Sequence, residues 1–596
     1  MNQTEQKDLV TLFADKADEK QNKPFAWEKI NGTWTPHSWT ESANLTARIA
    51  KALKSNGIKA KDRVLLVSEN RVEWPMADLA IMASGGITVP AYTTNTANDH
   101  LHVMNDSGAA IIIVSNTNLL NRVLPAAERA DSVKLILLIE GSIPEITSKK
   151  KVLLLNDILS SELDNGTEVL RKFASELTSE SIACLIYTSG TGGTPKGVIC
   201  SHGGILSNCR DATRTLSKIG LTDEKFLSFL PLSHSYEHTA GLFWPISLGA
   251  QIFYAESIDK LIANIEEVKP TLMTAVPRLY ETIRDRILRN IEKTGGMQKR
   301  LFLKCLQLGQ KQFESGYLSP FQKLQDLFLE KLVRKKIAEK FGGNLKAFIS
   351  GGAPLNYEVG MFFTGLGIRL LQGYGQTESG PVISVNPPTG FRIDTVGIPF
   401  SEAEVKIAED GEILVKGALV MQGYWNNASA TKDTIVDNWL HTGDIGTIDL
   451  DGHLRITDRK KDIIINSGGD NISPQRVEGY LVAEPEIHQA MVHGDARPHL
   501  VALLILDAEF LKAWAEKSLK YNENAESLFE DVNLKKEITK VVDRVNSKLS
   551  SIERIRSFII SNEEFTIENE MLTPTLKVRR HVIRNYYMDK LESLYG

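Results

Sequence analysis

Short apolar runs recur along the first third of the chain, separated by stretches of mixed character. RVLLVS (63–68), ITVPAY (87–92), AAIIIVS (109–115) and VKLILLIE (133–140) are rich in aliphatic, largely β-branched residues and hardly alternate with polar ones. Residues from the first run to about Ser84 keep helical spacing, and LLNRVLPAAERA does so between the last two runs. Continuous apolar strands bounded by helices are covered on both faces, so the pattern predicts parallel strands joined by right-handed crossovers. The expected class is α/β. The longest uncharged runs, 79–98 and 238–255, contain Pro, Gly and several polar residues. A spanning helix needs ~20 mostly apolar residues, so both are predicted as buried strands and turns.

Two regions break this rhythm. Residues 282–341 carry 14 Lys and Arg against 6 Asp and Glu, a local net of +8. Phe302, Cys305 and Leu306, then Phe321, Leu324, Phe328 and Leu332, recur there at helical spacing. Two readings fit such basic amphipathic helices: a solvated helix with its apolar side on the core, or a helix lying on an anionic membrane surface. The second break is DRKKD at 458–462, just after DGHLRIT, whose Asp-Gly pair predicts a hairpin turn. The pattern restarts with IIINSGGDNISP, and MVHG, LVALLILD, a helical stretch at 519–550 and FIIS follow. The predicted division is a domain over 1–457, a hinge at 458–461 and a smaller domain over 462–596.

Composition narrows the function classes. The 596 residues allow three to four domains of ~150 residues. A formal charge of −5 with 24% charged residues excludes a disordered or fibrous chain and gives no sign of nucleic-acid binding. Cys184, Cys200, Cys209 and Cys305 form no C-x-x-C pair, so neither a zinc site nor a disulfide framework is expected. MNQTEQKDLV lacks the apolar segment of a signal peptide. The expected location is cytoplasmic, with the inner face of a membrane left open as an alternative.

The strongest chemical signal is IACLIYTSGTGGTPKGV, an apolar strand followed by a loop of Ser, Thr and Gly and then Pro-Lys-Gly. Gly190, Gly192 and Gly193 let the backbone approach an anion, Thr188, Ser189, Thr191 and Thr194 add hydroxyls, and Lys196 adds a positive charge. The set suits a polyphosphate. It is not a Walker loop, because Lys196 precedes Gly197 rather than Ser or Thr. It is not a dinucleotide fingerprint either, because position 195 is Pro.

The stretch YTSGTGGTPKG (187–197) resembles the phosphate-binding signature of the adenylate-forming (AMP-binding) superfamily, with Gly192 where Thr is more usual. The resemblance continues in order through LPLSH (230–234), SGGAP (350–354), GYGQTE (373–378), TVGIP, GEILVKG, GYW (423–425), HTGD (441–444), ITDRKKDII (456–464) and LTPTLKVRR (572–580). It implies a large N-terminal adenylate-forming domain with mixed and parallel sheets and a small mobile C-terminal α+β domain. It also implies roles. Lys577 would be the adenylation lysine, between carboxylate and α-phosphate. Glu378 and Thr188 would hold Mg²⁺, whose preference for few carboxylates plus phosphates suits a lone glutamate. Thr188, Ser189, Gly190, Thr191, Gly192 and Lys196 would hold the phosphates. Gly351, Gly352, Ala353, Gln372, Gly373, Tyr374, Gly375 and Thr377 would form the adenine site. Asp444 and Arg459 would bind the ribose, and Lys461 would be the hinge residue. Gly468 and Gly469 would lie near the thioester site. His234 is a candidate beside the bound carboxylate, while Tyr236, Glu237 and His238 have no role on this reading.

LTPTLKVRR, AVPRLYE (275–281) and the basic stretch before SGGAP resemble the long-chain acyl-CoA synthetase branch. The implied substrates are therefore ATP, a long-chain fatty acid and coenzyme A, with no nucleic acid as partner. A ligase for another carboxylic acid, an enzyme loading a carrier protein, and a silent scaffold are the competing readings.

Overall fold

The computed structural model describes residues 6–144, 148–159, 163–188, 194–518, 528–573 and 578–595. The four apolar runs become neighbouring parallel strands. Arg63–Val67 lies between Ile87–Ala91 and Ile111–Val114, with Val64 opposite both Thr88 and Ile111, and Leu135–Leu138 continues beyond Ile111–Val114. Helices Glu73–Ala83 and Thr117–Ala127 cover the sheet, which explains why its strands are apolar on both faces. This sheet ends in an antiparallel hairpin, Ile182–Thr188 with Lys196–Ser201.

A second sheet runs parallel through Leu370–Tyr374, Ala347–Ser350, Leu272–Ala275, Lys225–Ser228, Gln251–Tyr254 and Pro24–Ile30, with antiparallel strands at both edges. A third, antiparallel sheet contains Ala403–Ile407, Glu412–Gly417, Trp439–Ile448 and Leu454–Arg459. Its last two strands form the hairpin expected from Asp451-Gly452, with Gly452 at a positive φ of 84°.

The smaller C-terminal unit has the sheet Ile487–His493, Leu500–Leu506 and Ile555–Ser561, flanked by helices Pro474–Val482, Val532–Asn546 and Arg580–Glu592. Part of the expected helical stretch 519–550 lies outside the described residues. The clusters of buried apolar side chains separate cleanly: three draw on residues up to Ile456 and two on residues from Ile464 onward. A large N-terminal domain and a smaller C-terminal one, with mixed parallel and antiparallel sheets, is thus the architecture.

The expectation of strands and turns for the two uncharged runs needs correction. Residues 79–83 belong to helix Glu73–Ala83, and residues 238–248 are helical too: a wide π-type helix at Glu237–Phe243 runs into the α-helix Trp244–Leu248. Residues 237–246 are all buried, so no solvent-facing side exists to imprint a helical period on the sequence. The four cysteines are all buried and unbridged.

Candidate active site

The candidate phosphate loop joins the two strands of the hairpin that closes the first sheet. Thr188 and Lys196 stand opposite one another at its mouth. Ser189, Gly190, Thr191, Gly192 and Gly193 lie outside the described residues, but both ends of the loop are firmly held. The Tyr187 hydroxyl donates to Asp106 at 2.6 Å, and the His102 ring bonds the Pro195 carbonyl at 2.8 Å.

Segment 421–425 packs along this hairpin by backbone hydrogen bonds, Ile199 N–H to Gly423 O and Trp425 N–H to Gly197 O. It carries Tyr424 into position. The Lys196 ammonium lies 4.9 Å from the Tyr424 ring centre, and the Tyr424 hydroxyl donates to Glu378 Oε1 at 2.9 Å. Burial, with Glu378 alongside, holds the phenol above its ordinary range, so it stays a donor. GYW was legible as a motif, but the bridge that Tyr424 makes between the loop lysine and Glu378 depends on backbone pairing that spacing does not reveal.

Glu378 sits in a short 3₁₀ turn, Thr377–Ser379, just past strand Leu370–Tyr374. The Thr377 hydroxyl shares a hydrogen bond of 2.9 Å with Ser235. Among the described residues no cluster of three or more His, Cys, Asp or Glu could form a cage for a metal. The half-buried Glu378 carboxylate, held by the Tyr424 hydroxyl, is instead the kind of lone ligand that fits Mg²⁺ carried in on phosphates.

The third sheet builds a second cluster. Asp444 and Arg459 are directly opposite across the hairpin, and Arg459 Nε donates to Asp444 Oδ1 at 3.0 Å. The Tyr374 hydroxyl donates to the other oxygen, Oδ2, at 2.7 Å. Asp444 is buried, and its N–H donates to the Thr442 hydroxyl. Burial works against the Arg459 charge, yet Asp444 and Asp462 outweigh it and keep the guanidinium pKa raised. Burial and Asp444 push the Tyr374 phenol well up. Tyr374, expected to stack on a base, therefore also orients the carboxylate.

The remaining adenine-site candidates fall into two groups. Gly352 and Ala353 are exposed at the end of strand Ala347–Ser350, open to a ligand. Gly351, Gly375 and Gln372 serve the protein's own packing. A Cβ on Gly351 would meet the Tyr236 ring at 2.9 Å, and one on Gly375 the Pro381 carbonyl oxygen at 2.0 Å. The Gln372 amide donates to the carbonyls of Ile393 and Thr395. Gly373 pairs with Val385 in the sheet. Lys461 is exposed in the turn after Arg459, and Gly468 and Gly469 form the turn of the small hairpin Ile464–Ile465 with Asn471–Ile472.

His234 is half-buried, its Nδ1 facing the N–H of Tyr236 at 3.2 Å. Of the three residues after Ser235, Tyr236 and Glu237 tie this segment to the second sheet and His238 ties it to helix Glu73–Ala83. The Tyr236 hydroxyl donates to Ile349 O, and Glu237 accepts from Ser228 at 2.6 Å and Thr274 at 2.7 Å. His238 Nε2 bonds Asp78 at 2.9 Å. Gly241 leaves room for the Glu237 carboxyl, which would lie 2.3 Å from a Cβ there.

Burial pushes the Glu237 carboxyl up to about 7, against the two hydroxyl donors that lower it. A carboxyl whose pKa rises on folding stabilises the fold fully below about 4.5, and that contribution is lost as pH rises through about 7. Glu237→Gln, neutral throughout, is expected to gain on the native protein by up to about 3 kcal/mol across this window. Unfolding midpoints of both proteins at pH 5 and pH 8 check this; a gap that does not change with pH contradicts it.

Lys577 lies outside the described residues. Its flanks are held together: Leu572 bridges Val578, and Arg579 N–H donates to Met571 O at 2.8 Å. Arg580 is anchored bidentately on Glu478 at 2.6 and 2.7 Å and lies within electrostatic reach of Asp458 and Asp462.

Comparison with known proteins identifies the family. Residues 13–425 match the AMP-binding enzyme family and residues 461–596 the AMP-binding enzyme C-terminal domain. The chain is 33% identical over 574 residues to the long-chain-fatty-acid–CoA ligase FadD15 of Mycobacterium bovis, covering 95% of this chain and 93% of that protein. It is 31% identical over 603 residues to the peroxisomal long chain acyl-CoA synthetase 7 of Arabidopsis thaliana, covering 95% and 83%. An anthranilate CoA ligase, AuaEII, solved with anthranoyl-AMP, has the same fold at a TM-score of 0.72 and 20% identity, with 97% of each chain covered. The chain belongs to the AMP-binding enzyme family and is an enzyme of its AMP-forming ligase class.

Proposed function

We propose that this enzyme activates a long-chain fatty acid with ATP and transfers the acyl group to coenzyme A, releasing AMP and pyrophosphate. The observation that carries the reading is the pair of clusters described above. Asp444, Arg459 and Tyr374 form a buried acceptor site suited to a ribose, and Lys196, Tyr424 and Glu378 form a charged row beside the phosphate loop. The long-chain ligases among its relatives support the choice of acid.

In the first step a carboxylate oxygen attacks the α-phosphorus, and the bond to the pyrophosphate oxygen breaks. The difficulty is bringing two anions together, so cations and positioning matter more than proton transfer. Lys577 stabilises the charge on carboxylate and α-phosphate, Lys196 holds the departing phosphates, and Asp444 fixes the ribose. Glu378 and Thr188 would hold Mg²⁺, which when bound neutralises phosphate charge. In the second step the CoA sulfur attacks the acyl carbonyl, the thiol proton is lost and AMP leaves. The clean separation of apolar cores between Ile456 and Ile464 supports a domain boundary at 458–461, with Lys461 as hinge.

Tyr424→Phe keeps the ring beneath Lys196 but removes the donor to Glu378. It is expected to lower kcat/KM for MgATP about 5- to 10-fold without changing the melting temperature, because one hydrogen bond to a charged group is lost. Native kcat/KM in that variant would remove Tyr424 from the site.

The substrate claim is tested by pyrophosphate release with acids from acetate to an 18-carbon chain, with and without CoA. Long chains should give the highest rates and acyl-CoA as product. A preference for aromatic or short acids would assign the enzyme to another carboxylate, and turnover requiring a carrier protein in place of CoA would assign it to carrier loading.

A further inference from the structure

The basic region 282–341 turns out to hold two different kinds of helix. Gly296–Ser315 buries Phe302, Cys305 and Leu308 against the core, as a solvated amphipathic helix should. Pro320–Leu329 does the opposite. It starts on a Ser319 capping box with Gln322 and presents Phe321, Leu324, Leu327 and Phe328 to solvent, at 69%, 67%, 67% and 61% exposure. Only Leu329 of this helix is buried. Positions 321, 324 and 328 fall on one side of a helix, with 327 adjoining, so the exposed side chains form a continuous apolar strip. A wide turn at Glu330–Arg334 then rotates the helix so that Val333 faces the core. Large apolar side chains grouped in this way mark an interaction surface.

The charges around the strip indicate what covers it. Two acidic residues lie near the strip, Asp326 on the helix and Glu330 just past its end, and both are engaged by Arg334 at 2.7 and 3.0 Å. Lys323, Lys331, Lys335 and Lys336 are exposed and make no ion pair among the described residues. The strip is therefore flanked by unneutralised positive charge. A second copy packing through the same face would bring lysines against lysines. A nucleic acid would match the charge but leave the aromatic and leucine side chains in water. An anionic bilayer satisfies both, taking the apolar strip into the acyl boundary and the lysines at the headgroups. No helix among the described residues is long and apolar enough to cross a membrane, so the contact is peripheral.

We propose that the exposed face of Pro320–Leu329, with Lys323, Lys331, Lys335 and Lys336 around it, docks this protein on the surface of an anionic lipid bilayer. The proposal does not depend on the identity of the acid substrate.

The test is flotation of the full chain with vesicles of phosphatidylcholine alone or mixed with phosphatidylglycerol, at low and high salt. Binding is expected only with phosphatidylglycerol and should weaken as ionic strength rises. Phe321→Glu with Phe328→Glu should abolish it. Lys331→Ala with Lys335→Ala should weaken it by roughly 20- to 30-fold, the effect of two surface cations. Sedimentation velocity and ligase activity in solution report whether each variant is folded. Binding that survives the Phe321/Phe328 change overturns the proposal. So does a native dimer that this change converts to monomer, which would assign the strip to a second copy.

Discussion

Asp444→Ala is expected to lower kcat/KM for ATP by about 10²–10³, more than any other single change in the large domain. Two effects combine. The variant removes the acceptor for the ribose hydroxyls, and hydrogen bonds to a charged group contribute about 1.5–3 kcal/mol each. It also strips Arg459 and the Tyr374 hydroxyl of the carboxylate that both donate to. The half-buried guanidinium then lacks its closest counter-charge, which disorders the side chain proposed to reach the ribose from the other strand. A ribose role and a merely structural one separate on 2′- and 3′-deoxy-ATP. The native enzyme should discriminate against these analogues, and Asp444→Ala should not. Discrimination retained by the variant would place the ribose elsewhere.

Lys577→Ala is expected to lower acyl-adenylate formation by at least about 10²–10³, the usual effect of losing one well-placed donor to developing charge. The thioester step should survive, because AMP is already a good leaving group and the proposed lysine contact serves the encounter of two anions. The measurement is a pair: pyrophosphate release from ATP and acid, and CoA consumption from chemically prepared acyl-adenylate. Loss of both would indicate collapse of the C-terminal domain rather than loss of a charge. Arg580 offers a control, since its bidentate hold on Glu478 secures the chain just after Lys577. Arg580→Ala should impair both half-reactions together by loosening that anchor.

Much of this architecture is written in local pattern. The parallel strands are legible because burial on both faces leaves unbroken aliphatic runs. The Asp451-Gly452 turn makes the hairpin legible but not the Asp444–Arg459 pair, because a register shift between Ile445 and Gly446 is what brings Arg459 opposite Asp444. What escaped the sequence follows from tertiary context. Segment 237–246 is buried on every side, its polar residues Glu237, His238 and Thr239 included, so nothing in its period distinguishes a buried helix from a strand. Glu237 looks like any acidic residue until its two hydroxyl donors arrive from strands Lys225–Ser228 and Leu272–Ala275. Tyr424 acquires its place only through backbone pairing with the phosphate hairpin. The helical period of Phe321, Leu324 and Phe328 was readable, but which side faced the core was not, because Leu329 alone sets it.

The central claim is that the acid is activated as an adenylate. Turnover of a fatty acid labelled with ¹⁸O in both carboxylate oxygens, with ATP and CoA, tests it most directly. Attack on the α-phosphorus followed by thiol attack on the carbonyl leaves one carboxylate oxygen on the nucleotide, so the account predicts one ¹⁸O in the phosphate of AMP. Label in inorganic phosphate with ADP as the nucleotide product, or unlabelled AMP, would contradict it.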